Sequence, residues 1–290
     1  MEYIIFTDVS VDVDMEYAAA ENVCYVPMEY MLGEESRHCA VPESSEYMHA
    51  YYDKLREKVP TRTSQITPFN YVSAFEETVK EGKGVLYIAL SSGLSNTYES
   101  ALNAVEMLKD TYPDAVVEVV DSLGATGGMG LLVESACENK KKGMTLAENA
   151  AWLRENAGKI NYWFKVEDLM YLSRGGRVST ATAIFGTALN IKPILNINAE
   201  GKLDTVAKKR GNKQSYAWML EQFARNYNPE ISNLVYISCA DCMQDAQEMA
   251  IKIAEIAPDA KIKCTMLSPI IGAHTGPDMI ALIYYGTARE

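Results

Sequence analysis

Val85-Leu-Tyr-Ile-Ala-Leu90, followed by Ser91-Ser-Gly-Leu-Ser-Asn-Thr97, joins a continuous apolar run to a hydroxyl-rich loop. Beyond the loop, Tyr98, Ala101, Leu102, Val105 and Leu108 recur at the spacing of one helix face. A run that is apolar at every position is a strand covered on both faces, and strands alternating with amphipathic helices build a parallel sheet. The same form opens the chain, where Met1 to Phe6 runs into Thr7-Asp8, and returns at Val116 to Val120, which ends at Asp121-Ser122. A glycine-rich bend through Gly124, Gly127, Gly128 and Gly130 then precedes another helix, and Leu146, Ala150, Leu153 and Ala157 mark a further helical stripe. These segments predict a doubly wound parallel-sheet α/β domain. Ligands of such sheets bind beyond the carboxyl ends of the strands, where the three polar loops fall.

From about residue 160 the texture changes. Tyr162 to Val166 reads as a short strand, and a helix-like stretch carries Leu169 and Leu172 before Arg174-Gly-Gly-Arg177. Ile194 to Ile197 and Leu203 to Val206 flank the turn Asn198-Ala-Glu-Gly201 as a β-hairpin. Helices over Ser215 to Tyr227 and Gln244 to Ala257 alternate with strands over Leu234 to Ser238, Ile262 to Leu267 and Met279 to Tyr285. The pattern predicts an α+β domain with a mixed or antiparallel sheet. With 290 residues the chain suits two domains, 1–160 and 161–290, the alternative being one large α/β domain.

Composition narrows the function classes. A chain with 48% hydrophobic and 23% charged residues is globular, and its folded surface should be about 12,000 Å², so a large core forms without disulfides. A net charge of -12 argues against general binding to nucleic-acid backbones or anionic membranes. No apolar run approaches the ~20 residues of a membrane span, and the first residues lack the basic region and cleavage site of a signal peptide, so a cytoplasmic location is expected. Of the six cysteines only Cys239-Ala-Asp-Cys242 has ligand-like spacing. Zinc would normally need a second pair or nearby histidines, so the pair reads as buried, idle thiols and no metal is expected.

Five features could carry chemistry. The loop Ser91 to Thr97 offers backbone N–H groups and hydroxyls at a helix N-terminus, which suits a phosphate or carboxylate; the plainer reading is that Ser95 or Thr97 caps the helix. Thr61-Arg-Thr63-Ser64-Gln65 is a second hydroxyl-rich segment that by itself reads as a surface turn or helix start. Asp8, Asp12 and Asp14 invite a metal or aspartyl-phosphate reading, but a loop-capping role for Asp8 fits the strand end better. His274, one of three histidines, lies in Ile271-Gly-Ala-His-Thr-Gly-Pro277, read as a loop that exposes its side chain. Lys208-Lys-Arg210 with Lys213 forms a small basic cluster, either a solvated face or a contact for a phosphate or an acidic partner.

Together these pieces resemble the DegV family, which includes the fatty-acid-binding subunits of bacterial fatty acid kinase. The matching residues are Thr7-Asp8, Thr63-Ser-Gln65, Ser91-Ser-Gly-Leu-Ser95 with Thr97-Tyr98, Asp121-Ser122, Leu172 with Gly175-Gly-Arg177, Ile191-Lys-Pro193, Arg210, and Gly272 with His274-Thr-Gly-Pro277. They run in family order along nearly the whole chain. The resemblance implies a two-domain α/β fold enclosing one long-chain fatty acid, its chain in an apolar tunnel and its carboxylate held by hydroxyls and a histidine. Carried over, the ligand residues are Thr63, Ser95 and His274, then Ser92 and Ser64. The resemblance further implies no catalytic residue, no cofactor beyond the bound acid, and presentation of the carboxylate to a separate ATP-dependent fatty acid kinase that makes an acyl phosphate for phospholipid synthesis. Arg210 would then face that partner, and Arg177 would be structural or near the head group. The 14 methionines supply candidates for the tunnel wall.

Three positions depart from the family pattern: Val9 for Ser, Asn96 for Gly, and Asp278 for Gly. Asn tolerates positive φ, so Asn96 is expected to preserve its loop. Asp278 would repel a carboxylate if it pointed inward and is expected to face solvent. Two other readings stay open. One is an acyl-ester hydrolase using Ser95 or Ser92 with His274, although Gly93-Leu-Ser95-Asn-Thr97 misses the G-x-S-x-G elbow. The other is an adaptor whose surface responds to lipid.

Overall fold

The computed structural model describes residues 1–179 and 190–289. The strands β1 (Tyr3–Asp8) and β2 (Cys24–Val26), joined by α1 (Met15–Ala20), begin a parallel sheet. The chain then departs into a small antiparallel sheet of β3 (Met28–Leu32), β4 (Glu35–Cys39) and β5 (Thr61–Thr63), with α2 (Ser45–Arg56) between the last two. Sequence periodicity misses this sheet because four of the five β4 residues are exposed and polar. Thr61 to Thr63, expected as a turn or helix start, is one of its two edge strands. After α3 (Pro68–Lys80) the chain rejoins the parallel sheet as β6 (Gly84–Ala89), crosses by α4 (Thr97–Thr111) to β7 (Val117–Asp121), and continues into α5 (Thr126–Lys141) and α6 (Leu146–Ala157). The sheet order β2-β1-β6-β7 reverses winding direction between β1 and β6.

The second large sheet has six strands in the order β10-β9-β8-β13-β11-β12. These are β8 (Ile160–Lys165), β9 (Ile191–Ile197), β10 (Leu203–Arg210), β11 (Leu234–Cys239), β12 (Lys261–Met266) and β13 (Ile280–Tyr285). Only β11 and β12 pair in parallel, so the sheet is mixed and mainly antiparallel. Short α7 (Met170–Arg174) follows β8; α8 (Gly211–Asn226) and α9 (Met243–Ile256) cover the outer face, and α10 (Pro269–Thr275) precedes β13. The two faces separate by strand alternation. Tyr162, Phe164, Ala281 and Ile283 join the core shared with the parallel sheet, whereas Trp163, Ile280, Leu282 and Tyr284 join the core under α8 and α9.

The glycine run after β7 is not a bend. Gly127, Gly128 and Gly130 lie inside α5, and they are glycines because that helix is pressed against the mixed sheet. A Cβ on Gly128 would stand 2.1 Å from the Tyr162 hydroxyl, one on Gly127 2.6 Å from Tyr236, and one on Gly130 2.3 Å from the Asp12 carbonyl. Polar clasps reinforce the contact. Arg56 on α2 donates to Asp241 at 2.5 Å and to Asp278 at 2.7 Å, and the Tyr51 and Tyr52 hydroxyls donate to the carbonyls of Pro269 and Leu267. Arg289 donates to four carbonyls, those of Ala157, Ile160, Leu123 and Asn198. Asp8 ends β1 buried, accepting from Ser10, Tyr87 and the Leu90 N–H. Among the described residues no helix is long and apolar enough to cross a membrane, and no group of three or more His, Cys, Asp or Glu is placed to hold a metal.

Gly128→Ala is therefore expected to lose about 1–3 kcal/mol of stability through overpacking against Tyr162. Gly158→Ala, at a helix end with negative φ and nothing within 4 Å of an added Cβ, should be neutral or slightly stabilising. Urea unfolding of the two variants beside the parent checks both.

Candidate functional site

A cavity of about 470 Å³ opens where the loop after β6, the end of β5, α10 and the inner face of the mixed sheet converge. Its walls are apolar: Tyr162, Phe164, Ala281 and Ile283 from the sheet, Ile270 and Ile271 from α10, and Leu172 from α7. Of the methionines only Met28 and Met279 are among the lining residues, so the wall is built mainly of branched and aromatic side chains. The volume and the apolar lining with a few convergent polar groups are those of a small-molecule site.

Thr63, Ser64, Ser92, Ser95, His274 and Arg177 all line this one cavity. Thr63 Oγ1 and His274 Nε2 share a hydrogen bond of 2.9 Å. His274 is not on a loop; it occupies the last turn of α10, and its ring turns inward against Gly175, where an added Cβ would lie 2.3 Å from Nδ1. Burial, with the nearby Arg177 cation adding to it, pushes the imidazole pKa down to about 4, so the ring is neutral at pH 7. Its Nδ1 is buried without a hydrogen-bond partner. Arg177 donates from Nε to the Leu94 carbonyl at 3.0 Å and from a terminal nitrogen to the Gly175 carbonyl. Among the described residues it has no carboxylate partner. Fixed positive charge, hydroxyls and a neutral imidazole at one end of an apolar cavity favour an anionic head group on an apolar body.

The β6 loop both caps its helix and lines the cavity. Asn96 is the N-cap of α4 but makes no side-chain cap; Ser95 does that work, accepting from the Thr97 N–H at 3.3 Å and sharing a 2.7 Å bond with the Thr97 hydroxyl. Asn96 has φ -74, so positive φ is not what this position requires. Ser91 faces away from the cavity: its hydroxyl donates to the Gly201 carbonyl at 2.9 Å and accepts from the Gly93 N–H, stapling the loop to the β9–β10 turn. Gly93 permits that approach, since its Cβ would fall 2.6 Å from the Gly201 backbone. Ser64 and Ser92 are exposed residues of the lining, with backbone N–H groups donating to Glu29 and Asp121.

Arg210 is not part of the cavity. It is exposed at the end of β10, where α8 begins. Asp278 turns to Arg56 rather than inward, and Val9 is fully buried. Neither serine pairs with the histidine: Ser95 engages Thr97, Ser92 has no side-chain bond to His274, and the His274 ring is bonded to Thr63. The wall residues of β8 were invisible to the sequence reading because Tyr162, Trp163 and Phe164 are all apolar, which hides the face that each one serves.

The family model described as "Uncharacterised protein, DegV family COG1307" matches residues 3–287. A DegV domain-containing protein of Clostridium perfringens (strain 13 / Type A) is 35% identical over 289 residues, covering 100% of this chain and 99% of its own length. Two solved structures share the fold. A fatty-acid-binding DegV family protein from Thermus thermophilus superposes with a TM-score of 0.81 at 25% identity, covering 99% of this chain and 100% of its own. The Fatty Acid Kinase (Fak) B3 protein of Streptococcus pneumoniae, loaded with linoleic acid, superposes with a TM-score of 0.83 at 20% identity, covering 98% and 99%.

The depressed His274 pKa has a signed consequence for stability. Between pH 6.5 and about 4 the unfolded chain takes up a proton that the folded one refuses, so this residue's contribution is complete above pH 6.5 and declines as pH falls toward 4. Relative to His274→Gln, ligand-stripped protein should lose on the order of 3 kcal/mol between pH 7 and pH 4. Denaturant unfolding across that range measures it, and a constant difference between the two proteins would show the imidazole to be as hydrated in the fold as out of it.

Proposed function

This chain belongs to the DegV family, and from that premise we propose that its cavity holds one long-chain fatty acid. The carboxylate lies at the end formed by Thr63, Ser95 and His274, with Ser64 and Ser92 at the rim and Arg177 supplying positive charge. The observation that carries the reading is the coincidence of these groups in a cavity whose remaining lining is mainly apolar. A sixteen-carbon chain at about 0.8 kcal/mol per buried methylene contributes on the order of 10 kcal/mol gross, so apolar burial supplies affinity and the polar end sets direction. The buried Nδ1, which has no partner, and a guanidinium whose bonds go to the Leu94 and Gly175 carbonyls fit an anion that the ligand brings. Relatives carrying an acid are described by what they bind, which agrees with a binding protein rather than an enzyme.

The same reading places the domain boundary at 160/161, with residues 161–290 completing the lipid pocket, and has the bound acid presented to an ATP-dependent kinase subunit for acyl phosphate formation. The exposed Arg210 and its basic neighbours would meet that partner. The hydrolase reading is weaker, because neither serine is bonded to the imidazole that would have to activate it.

Organic extraction of freshly purified protein followed by mass spectrometry should find one fatty acid per chain. Stripped protein should bind C14 to C18 acids, with His274→Ala and Thr63→Val each weakening affinity roughly 10- to 100-fold, the scale of one lost hydrogen bond to a charged group. Empty protein that also refuses added acids would overturn the assignment; unchanged affinity in His274→Ala would remove that residue from it.

A further inference from the structure

The Cys239-Ala-Asp-Cys242 segment plays no part in the cavity, yet its arrangement is not that of an idle pair. Cys239 is the last residue of β11 and is fully buried; Cys242 is the N-cap of α9 and is half-buried. The Cys242 side chain and backbone N–H lie within interaction range of the Cys239 sulfur across the bend. Two thiols at a strand end and the following helix N-terminus, separated by two residues, are arranged for thiol–disulfide exchange. The geometry points to a reversible intramolecular disulfide between Cys239 and Cys242, formed by exchange with a small-molecule disulfide.

The bend is held by groups other than the sulfurs. Asp241, at φ 60, is fixed by Arg56 at 2.5 Å and by His49, both on α2. The Ala240 N–H donates to the Met279 carbonyl at 2.8 Å, and the Ala240 carbonyl accepts from the Asp278 N–H at 2.7 Å. The Cys242 thiol also donates to the Met279 carbonyl, at 3.2 Å. When that thiol proton is lost, the carbonyl keeps the Ala240 N–H, so oxidation leaves no orphaned acceptor. The backbone can therefore accommodate either redox state without releasing the bend.

The chemistry balances as two exchanges. The half-buried Cys242, as thiolate, attacks one sulfur of the small disulfide; that S–S bond breaks and one small thiolate leaves, taking a proton. Cys239 then attacks the Cys242 sulfur of the mixed disulfide and expels the second small thiolate, which takes the second proton. The protein pair loses two electrons and two protons, and the small disulfide becomes two thiols. The Cys239 sulfur and burial push the Cys242 thiol up before the first step. In the mixed disulfide the Cys242 sulfur carries no proton, and its backbone N–H remains to stabilise the Cys239 thiolate of the second step. Cys264, on the neighbouring strand, is the third thiol of this face and the competing partner.

The whole chain, equilibrated in glutathione buffers of graded oxidised-to-reduced ratio, quenched in acid, alkylated unfolded and digested with trypsin, tests this. Cys239 and Cys242 fall on one peptide, 226–252, with no internal Lys or Arg and no other cysteine. The expected result is that this peptide passes from doubly alkylated to an internal disulfide as the buffer becomes oxidising, while Cys264 alkylates throughout. Cys242→Ser should abolish the oxidised peptide, and Cys239→Ala should trap a glutathione adduct on Cys242. Double alkylation at every ratio, a stable glutathione adduct in the parent, or a bond to Cys264 would each overturn the proposal. Should Cys239→Ala fail to fold, the parent and Cys242→Ser still decide it.

Discussion

Everything in this molecule depends on how closely backbone approaches backbone where its sheets meet. Gly127, Gly128 and Gly130 let α5 lie directly on Tyr162, Tyr236 and the Asp12 carbonyl, and Gly93 lets the β6 loop touch the β9–β10 turn at Gly201. With side chains at those positions the sheets would stand apart and the space between them would open to solvent. With glycine there, the same space is reduced to a bounded cavity lined by the mixed sheet, the small sheet and the loops that follow β6 and β7. The Gly175 contact with the His274 ring extends this logic to the polar end, where the absence of a Cβ fixes the imidazole against the chain.

Buried polar groups divide into those the fold satisfies and those it leaves wanting. Asp8 has donors on both oxygens, and Arg289 has four carbonyls; both are structural ties that hold the elements around the cavity. Asp12 is intermediate: burial pushes its pKa up to about 7, Ser238 and the Ser268 N–H donate to it, and one oxygen has no partner. At the cavity, by contrast, Arg177 donates to the Leu94 and Gly175 carbonyls and has no carboxylate partner among the described residues, and His274 lacks a partner at Nδ1. A buried polar group without a partner is costly, and this cost is the reason the proposed carboxylate is placed at that end.

Much of this was legible from local pattern. The runs ending at Asp8, Leu90 and Asp121 placed three of the four parallel strands, and the break near residue 160 placed the change to a mixed sheet, because continuous apolarity and alternation are local signals; the three-residue β2 was too short to show either. The small β3–β4–β5 sheet was not legible, since exposed Glu35, Ser36, Arg37 and His38 carry no apolar face. The glycines of α5 read as a bend because their helical state is imposed by Tyr162 and Tyr236, which are distant in sequence. Ser95 and His274 stood out by residue type, whereas Thr63 by itself read as a surface turn and was singled out by the family resemblance. That His274 ends a helix, and that Arg177 sits beside it, depended on contacts between segments that no spacing encodes.

Strand alternation in β8 and β13 gives the protein two sets of residues with separate duties. Tyr162, Phe164, Ala281 and Ile283 shape the cavity, while their immediate neighbours Trp163, Ile280, Leu282 and Tyr284 anchor the outer helices. Substitutions can accumulate at one parity and reshape the volume offered to a ligand while the other parity keeps the sheet attached to α8 and α9. Within such a scaffold, ligand preference is free to drift between lineages at little risk to folding, which makes the architecture inherently evolvable.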